Sequence, residues 1–75
     1  MSKKKTIELI LQTAGFEMKN YGIVRDGSSY VVYRFEGWKN GRCEIDIETD
    51  SYESALSDLL SAIYELEDVV FFPIL

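Results

Sequence analysis

Residues 33–50 read YRFEGWKNGRCEIDIETD, and this stretch decides the fold. Cys43, Ile45 and Ile47 alternate with Glu44, Asp46 and Glu48, and just upstream Tyr33 and Phe35 alternate with Arg34 and Glu36. A period of two belongs to a strand with one dry face and one wet face. Lys39-Asn40-Gly41 interrupts the two runs, so they form a hairpin. A two-residue Asn40-Gly41 loop would oppose Phe35 to Asp46 and Arg34 to Ile47. A three-residue loop with Gly41 in a left-handed bulge opposes Arg34 to Asp46, Phe35 to Ile45, Tyr33 to Ile47 and Glu36 to Glu44. A slip of one residue exchanges the faces, so the chemistry selects the three-residue loop. The dry face then holds Val31, Tyr33, Phe35, Cys43, Ile45 and Ile47. The wet face holds Tyr30, Val32, Arg34, Glu36, Trp38, Arg42, Glu44, Asp46 and Glu48.

Upstream, residues 16–26 add a first strand, joined through Asp26-Gly27-Ser28-Ser29. A Gly27-Ser28 loop pairs Val24 with Val31, points Phe16, Met18 and Val24 inward and turns Tyr21 and Ile23 outward, unless Gly22 marks a bulge. Before it, KKKTIELILQTAGF places Ile7, Ile10, Leu11 and Ala14 on one helical face, and Gly15 stands where a helix ends. The three lysines oppose the dipole at that helix start, so helix stability does not explain them; they read as a solubilising start, with a basic arm as the alternative. After the hairpin, DSYESALSDLLSAIYELED is a second helix, with Asp50 and Glu53 at the spacing of a capping box. Its apolar stripe is Tyr52, Ala55, Leu56, Leu59, Ala62, Ile63 and Leu66. Residues 69–75, VVFFPIL, form an apolar C-terminal tail that has to pack on this domain or on another chain. The expected architecture is therefore α+β in the order α-β-β-β-α: a three-stranded antiparallel meander with both helices on one face, in a single small domain over residues 1–75.

The chain has 75 residues, 47% of them hydrophobic, and a net charge of −5. That charge is unevenly distributed. Residues 1–42 hold all eight basic residues and four acids, a balance of +4; residues 43–75 hold nine acids and no base, a balance of −9. A single cysteine and no histidine exclude an internal disulfide, the usual zinc sites and histidine-based general bases. No secretory leader or membrane-spanning run is evident, so a cytoplasmic location is expected. Cys43, on the dry face without a histidine to activate it, reads as a small hydrophobe rather than a nucleophile. The five glycines punctuate turns and cradle no phosphate. Carboxylates about 6.8 Å apart along one strand face have a spacing used by inverting glycosidases. A flat strand, however, supplies neither a pocket to raise one pKa nor converging oxygens for a metal. No catalytic, cofactor or metal residue is assigned, and the protein is expected not to be an enzyme.

The element order over residues 6–67 resembles the double-stranded-RNA-binding domain. That family places a lysine-rich helix start on phosphates, whereas residues 50–55 here read DSYESA. The resemblance therefore implies the fold and speaks against the activity, since an acidic surface repels phosphate. TDSYESALSDLLSAI, residues 49–63, is similar to the helix of strand–strand–strand–helix antitoxins.

The remaining candidate is the wet sheet face. Glu36, Glu44, Asp46 and Glu48, continued by Asp50 and Glu53 and flanked by Tyr21 and Trp38, combine aromatics with a charged rim, as protein-binding surfaces do. The carboxylate spacing is close to two steps of about 3.4 Å along one DNA strand. The expected function is an acidic binding module that docks a basic, nucleic-acid-binding surface of a partner protein and blocks it. Small acidic proteins of this kind resemble phage-encoded inhibitors of host defence, such as anti-CRISPR proteins. Two alternatives stand beside it: the tail covers the wet face, or two chains form a homodimer through the aromatic face and Val69, Val70, Phe71, Phe72, Ile74 and Leu75.

Overall fold

The computed structural model describes residues 2–26 and 30–67, with the side chains of all of them except Arg25, Asp26, Tyr30 and Glu67. The expectations for residues 69–75 lie outside the described residues. The order is α1 (Lys3–Thr13), β1 (Glu17–Asp26), β2 (Tyr30–Lys39), β3 (Arg42–Thr49) and α2 (Tyr52–Glu67), and the sheet runs β1-β2-β3. Both strand pairs are antiparallel. This is the expected α-β-β-β-α meander of α+β class.

Both helices pack on one sheet face. Ile7 and Leu11 of α1 and Ala55 and Leu59 of α2 meet Phe16, Phe35, Ile45 and Ile47 in one buried cluster. Each fully buried Ile, Leu or Phe contributes roughly 1.5–3 kcal/mol relative to exposure, which makes this small cluster the main support of the fold. Ile10 and Ala14 flank it, completing the predicted face of α1. Tyr52, Leu56, Ala62 and Ile63 pack where the α2 stripe places them, but Leu66 remains 46% exposed.

The ends of α1 are set by local chemistry. Lys5 N donates to Ser2 Oγ at 3.1 Å, so Ser2 is the N-cap that allows three lysines to begin a helix. At the other end Gly15 has φ +92°. Gly15 N donates to Gln12 O at 3.0 Å and Phe16 N to Leu11 O at 2.8 Å. These are the two bonds of a Schellman motif, and the buried pair Phe16 and Leu11 supplies its hydrophobic contact. In α2 the N-cap is Ser51 rather than Asp50: Ser54 N donates to Ser51 Oγ at 3.1 Å. Asp50 therefore lies one residue before the cap, and the expected Asp50/Glu53 capping box does not form.

Both strand registers differ from expectation through bulges. The β2–β3 turn has two residues, with Asn40 at φ +55° and Gly41 at φ +76°, and Lys39 pairs with Arg42. Two left-handed residues are the requirement of a type I′ turn. Trp38 then pairs with Cys43 but Gly37 with Ile45, so one extra β3 residue, Glu44, is inserted. Beyond it Glu36 faces Asp46, Phe35 faces Ile47, Arg34 faces Glu48 and Tyr33 faces Thr49. The expected pairs Arg34–Asp46 and Glu36–Glu44 are therefore absent. Phe35, Ile45 and Ile47 remain inward, because the displacement from the expected register is two residues and an even shift preserves faces.

In β1 the pairing shifts between Lys19, opposite Glu36, and Gly22, opposite Arg34. Asn20 and Tyr21 thus stand against Phe35 alone, and Asn20 takes φ +57°. The bulge reverses the expected faces beyond it. Tyr21 turns in to stack on Phe35 at 6.4 Å between centroids. Val24, paired with Val32 rather than Val31, joins the outer face, and Ile23 pairs with Tyr33.

Candidate acidic docking surface

Glu36 lies at the centre of the sheet face away from the helices. On β1 it is opposite Lys19 and on β3 opposite Asp46. Its Oε1 accepts from Trp38 Nε1 at 2.8 Å and from Asn20 Nδ2 at 2.7 Å. These two bonds hold the carboxyl below its ordinary pKa, with Arg34 and Lys19 adding smaller effects. The like-charge neighbour Asp46 is thus tolerated because Glu36 is anchored by two donors, one supplied by the left-handed Asn20 of the β1 bulge. Trp38 is fixed by the same carboxylate and carries Lys19 Nζ 4.4 Å from its ring centroid.

The β3 bulge breaks the expected carboxylate row. Glu44 leaves it: Glu44 lines a shallow hollow with Phe16, Lys39, Asn40 and Leu66 on the helix side and pairs with Arg42 at 3.9 Å. Cys43, expected in the core, is exposed and pairs with Trp38 on the outer face. The cause is geometric, because an inserted residue exchanges the faces of its neighbours on the turn side of the bulge. Partial desolvation by its neighbours, followed by the nearby charges of Glu36 and Asp46, pushes the thiol of the exposed Cys43 above its ordinary pKa. A thiol kept protonated is a poor nucleophile. Tyr21, expected beside the acids, lies instead on the helix side, where burial and then Tyr33 push its hydroxyl up from its ordinary pKa.

The remaining acids form an arc rather than a straight track. Asp46 and Glu48 lie at alternate β3 positions, about 6.8 Å apart along the strand. At the end of β3, Glu48 and Asp50 share an open hollow of about 410 Å³ with Val32, Thr49, Ser54 and Asp58. Glu53 follows in the first turn of α2, where a carboxylate is favoured by the helix dipole. Asp58 was not foreseen as a site residue. Its sequence signal is the i, i+4 spacing to Ser54 on the face of α2 opposite the apolar stripe.

Among the described residues, the Lys and Arg side chains other than Arg34 are engaged away from these acids. Lys3 lies over Tyr33 and Tyr52, Lys4 over Tyr21, Lys19 over Trp38 and Lys39 over Phe16. Such contacts occur about once per 70–80 residues in proteins generally, so the number here reflects a consistent placement of lysine on aromatic rims. Lys5 pairs with Glu8 at 3.5 Å and Arg34 with Glu48 at 4.0 Å. Asp46, Asp50, Glu53 and Asp58 make no ion pair among the described residues.

No group of three or more His, Cys, Asp or Glu among the described residues is arranged to hold a metal ion. No described helix is long and apolar enough to cross a membrane. No protein-family model, curated protein or solved structure matches this chain. The likeness to the double-stranded-RNA-binding domain therefore rests on element order alone.

Proposed function

We propose that this domain is a non-enzymatic binding module whose acidic arc, Asp46, Glu48, Asp50, Glu53 and Asp58, docks on a basic surface of a partner protein. One observation carries the reading. Each described Lys and Arg side chain lies on a ring or beside a carboxylate, while the acids of this arc, Glu48 apart, form no ion pair among the described residues. Net negative charge is thus concentrated on one contiguous edge, where it steers a basic partner and fixes its orientation. Where the partner surface normally holds nucleic acid, occupancy by this domain inhibits it, as expected of a phage-encoded anti-defence protein. The bulge leaves only Asp46 and Glu48 in line on β3, so shape imitation of a long phosphate track is not part of the proposal.

The test is an NMR titration with an arginine-rich peptide. Shifts are expected at residues 46–58, weakening as salt rises from about 0.05 to about 0.3 M, and lost in the double variant Asp46→Lys, Glu48→Lys. Shifts spread evenly over all acidic residues, or retained by the double variant, would count against the arc.

A second reading, a homodimer, is favoured by Leu60 and Leu66 of α2, which are 55% and 46% exposed. Sedimentation that shows a concentration-dependent dimer, lost on Leu60→Glu, would select it.

A further inference from the structure

The two edges of the sheet are not equivalent. β1 and β3 are the outer strands, and among the described residues neither makes a backbone hydrogen bond beyond its pairing with β2. β1 is interrupted mid-strand by Asn20 and Tyr21, and a bulge of this kind blunts an edge. Residues 18–25 of that edge also contain no acid. On β3 the bulge lies at Glu44, toward the turn, and residues 45–49 then pair with β2 at five consecutive positions. Along that stretch Ile45 and Ile47 are buried in the core, while Asp46 and Glu48 alternate with them and are exposed. Asp46 has Glu36 opposite it on β2 and forms no ion pair among the described residues.

We infer that the free edge of β3 holds the basic partner by strand addition: an extended segment of another protein, with Lys or Arg at alternate positions, pairs with residues 45–49 as a fourth strand. This rests on the reading of the acidic arc as a docking surface and adds the way the partner is held. In strand addition the main-chain N–H and C=O groups of the edge supply affinity, and the alternating side chains supply the choice of sequence. Residues directly opposite on neighbouring strands share a face and have Cβ atoms about 4.5–5.5 Å apart. A cation of the added strand opposite Asp46 therefore forms the ion pair that β2 does not supply. The intervening residues of the segment fall on the helix side, beside Ile45 and Ile47, where β-branched apolar side chains fit. The same acids exclude a second copy of this chain. Antiparallel pairing of residues 45–49 with themselves, centred on Ile47, opposes Asp46 of one copy to Glu48 of the other on both sides, and like charges directly opposite are destabilising.

The experiment follows the backbone amides of the whole chain by NMR while end-blocked pentapeptides are added. The probe alternates arginine and valine, beginning and ending with arginine. Its controls are an isomer with the three arginines together and two N-methylated forms of the probe, one methylated on the arginines and the other on the valines. Successive N–H groups of a strand point to opposite edges, so only one methylated set faces β3. That form is expected to bind at least about tenfold more weakly than the probe through its lost hydrogen bonds, and the other form to match the probe. Amide exchange should slow at alternate residues within 45–49. Asp46→Asn should weaken the probe about twofold to fivefold, as for an exposed ion pair. Equal affinity of the two methylated forms, or of the probe and its isomer, would overturn strand addition while leaving the acidic arc in place. Unchanged affinity in Asp46→Asn would overturn the placement of the cation, and binding by none of the four peptides would overturn the arc as well.

Discussion

Gly37→Ala tests the architecture beneath the acidic arc at its tightest point. Gly37 is buried on β2 and, in the bulged register, faces Ile45. A Cβ at this position would lie 2.8 Å from Leu11 Cδ2, 3.3 Å from Ile45 Cβ and 3.5 Å from Ile45 Cδ1. The first distance is below any ordinary carbon–carbon contact. Leu11 cannot easily move aside, because it is fully buried and also closes the Schellman motif. Ile45 Cβ is fixed to its backbone. Overpacking of this kind costs about 1–3 kcal/mol, and a domain of this size loses about 4–8 °C of Tm per kcal/mol. A mid-range cost of about 2 kcal/mol thus lowers Tm by about 8–16 °C. Gly22→Ala is the internal control. Nothing lies within 4 Å of its Cβ position and its φ is not positive. The same methyl there should stabilise the domain by about 0.4–1 kcal/mol through the unfolded state. Thermal unfolding followed by circular dichroism reads both. A Gly37→Ala variant as stable as wild type would refute the seating of α1 over Gly37 and the pairing of Gly37 with Ile45.

Two further outcomes follow from the bulge and from the anchored carboxylate. Deleting Glu44 removes the inserted residue and leaves Trp38–Cys43 and Gly37–Ile45 as consecutive pairs, so stability should change by no more than about 1 kcal/mol. Deleting Asp46 instead turns Ile47 outward and should abolish cooperative unfolding in urea. For Glu36 the folded pKa is depressed, chiefly by its bonds from Trp38 and Asn20. Its contribution to stability is therefore present above the ordinary glutamate pKa and is lost as pH falls through the folded value. The gap in urea midpoint between wild type and Glu36→Gln should accordingly close as pH is lowered from neutrality into the acid range; a gap independent of pH would refute the anchoring.

The alternation of Phe35, Ile45 and Ile47 with acids was enough to assign the core face of the hairpin, and the stripe on 52–66 was enough to seat α2. Both are periodic signals carried by many residues, so no single local choice could overturn them. The details that shape the site are of another kind. Asn40-Gly41 permitted either a two-residue or a three-residue loop. The structure combines the shorter loop with a bulge at Glu44, and the total displacement of two residues keeps the faces while changing each partner. Glu44 and Cys43 exchange sides for that reason, and the acidic surface becomes an arc through Asp50 and Asp58 instead of a row. Ser51 rather than Asp50 caps α2 because the strand continues to Thr49, whose Oγ1 donates to Ser51 O at 2.8 Å.

The α-β-β-β-α order, the two helix faces and the inward Phe35, Ile45 and Ile47 of the hairpin were determined by the amino-acid sequence alone, since apolar periodicity is a local property of the chain. The tertiary structure decided where that periodicity is interrupted. Asn20 adopts a left-handed backbone where its amide reaches Glu36 on the neighbouring strand. Lys3 and Lys4, opposed to their own helix dipole, find their place on tyrosines that arrive from three other elements. Both depend on partners distant along the chain, and the register that brings those partners together exists only once the core has closed.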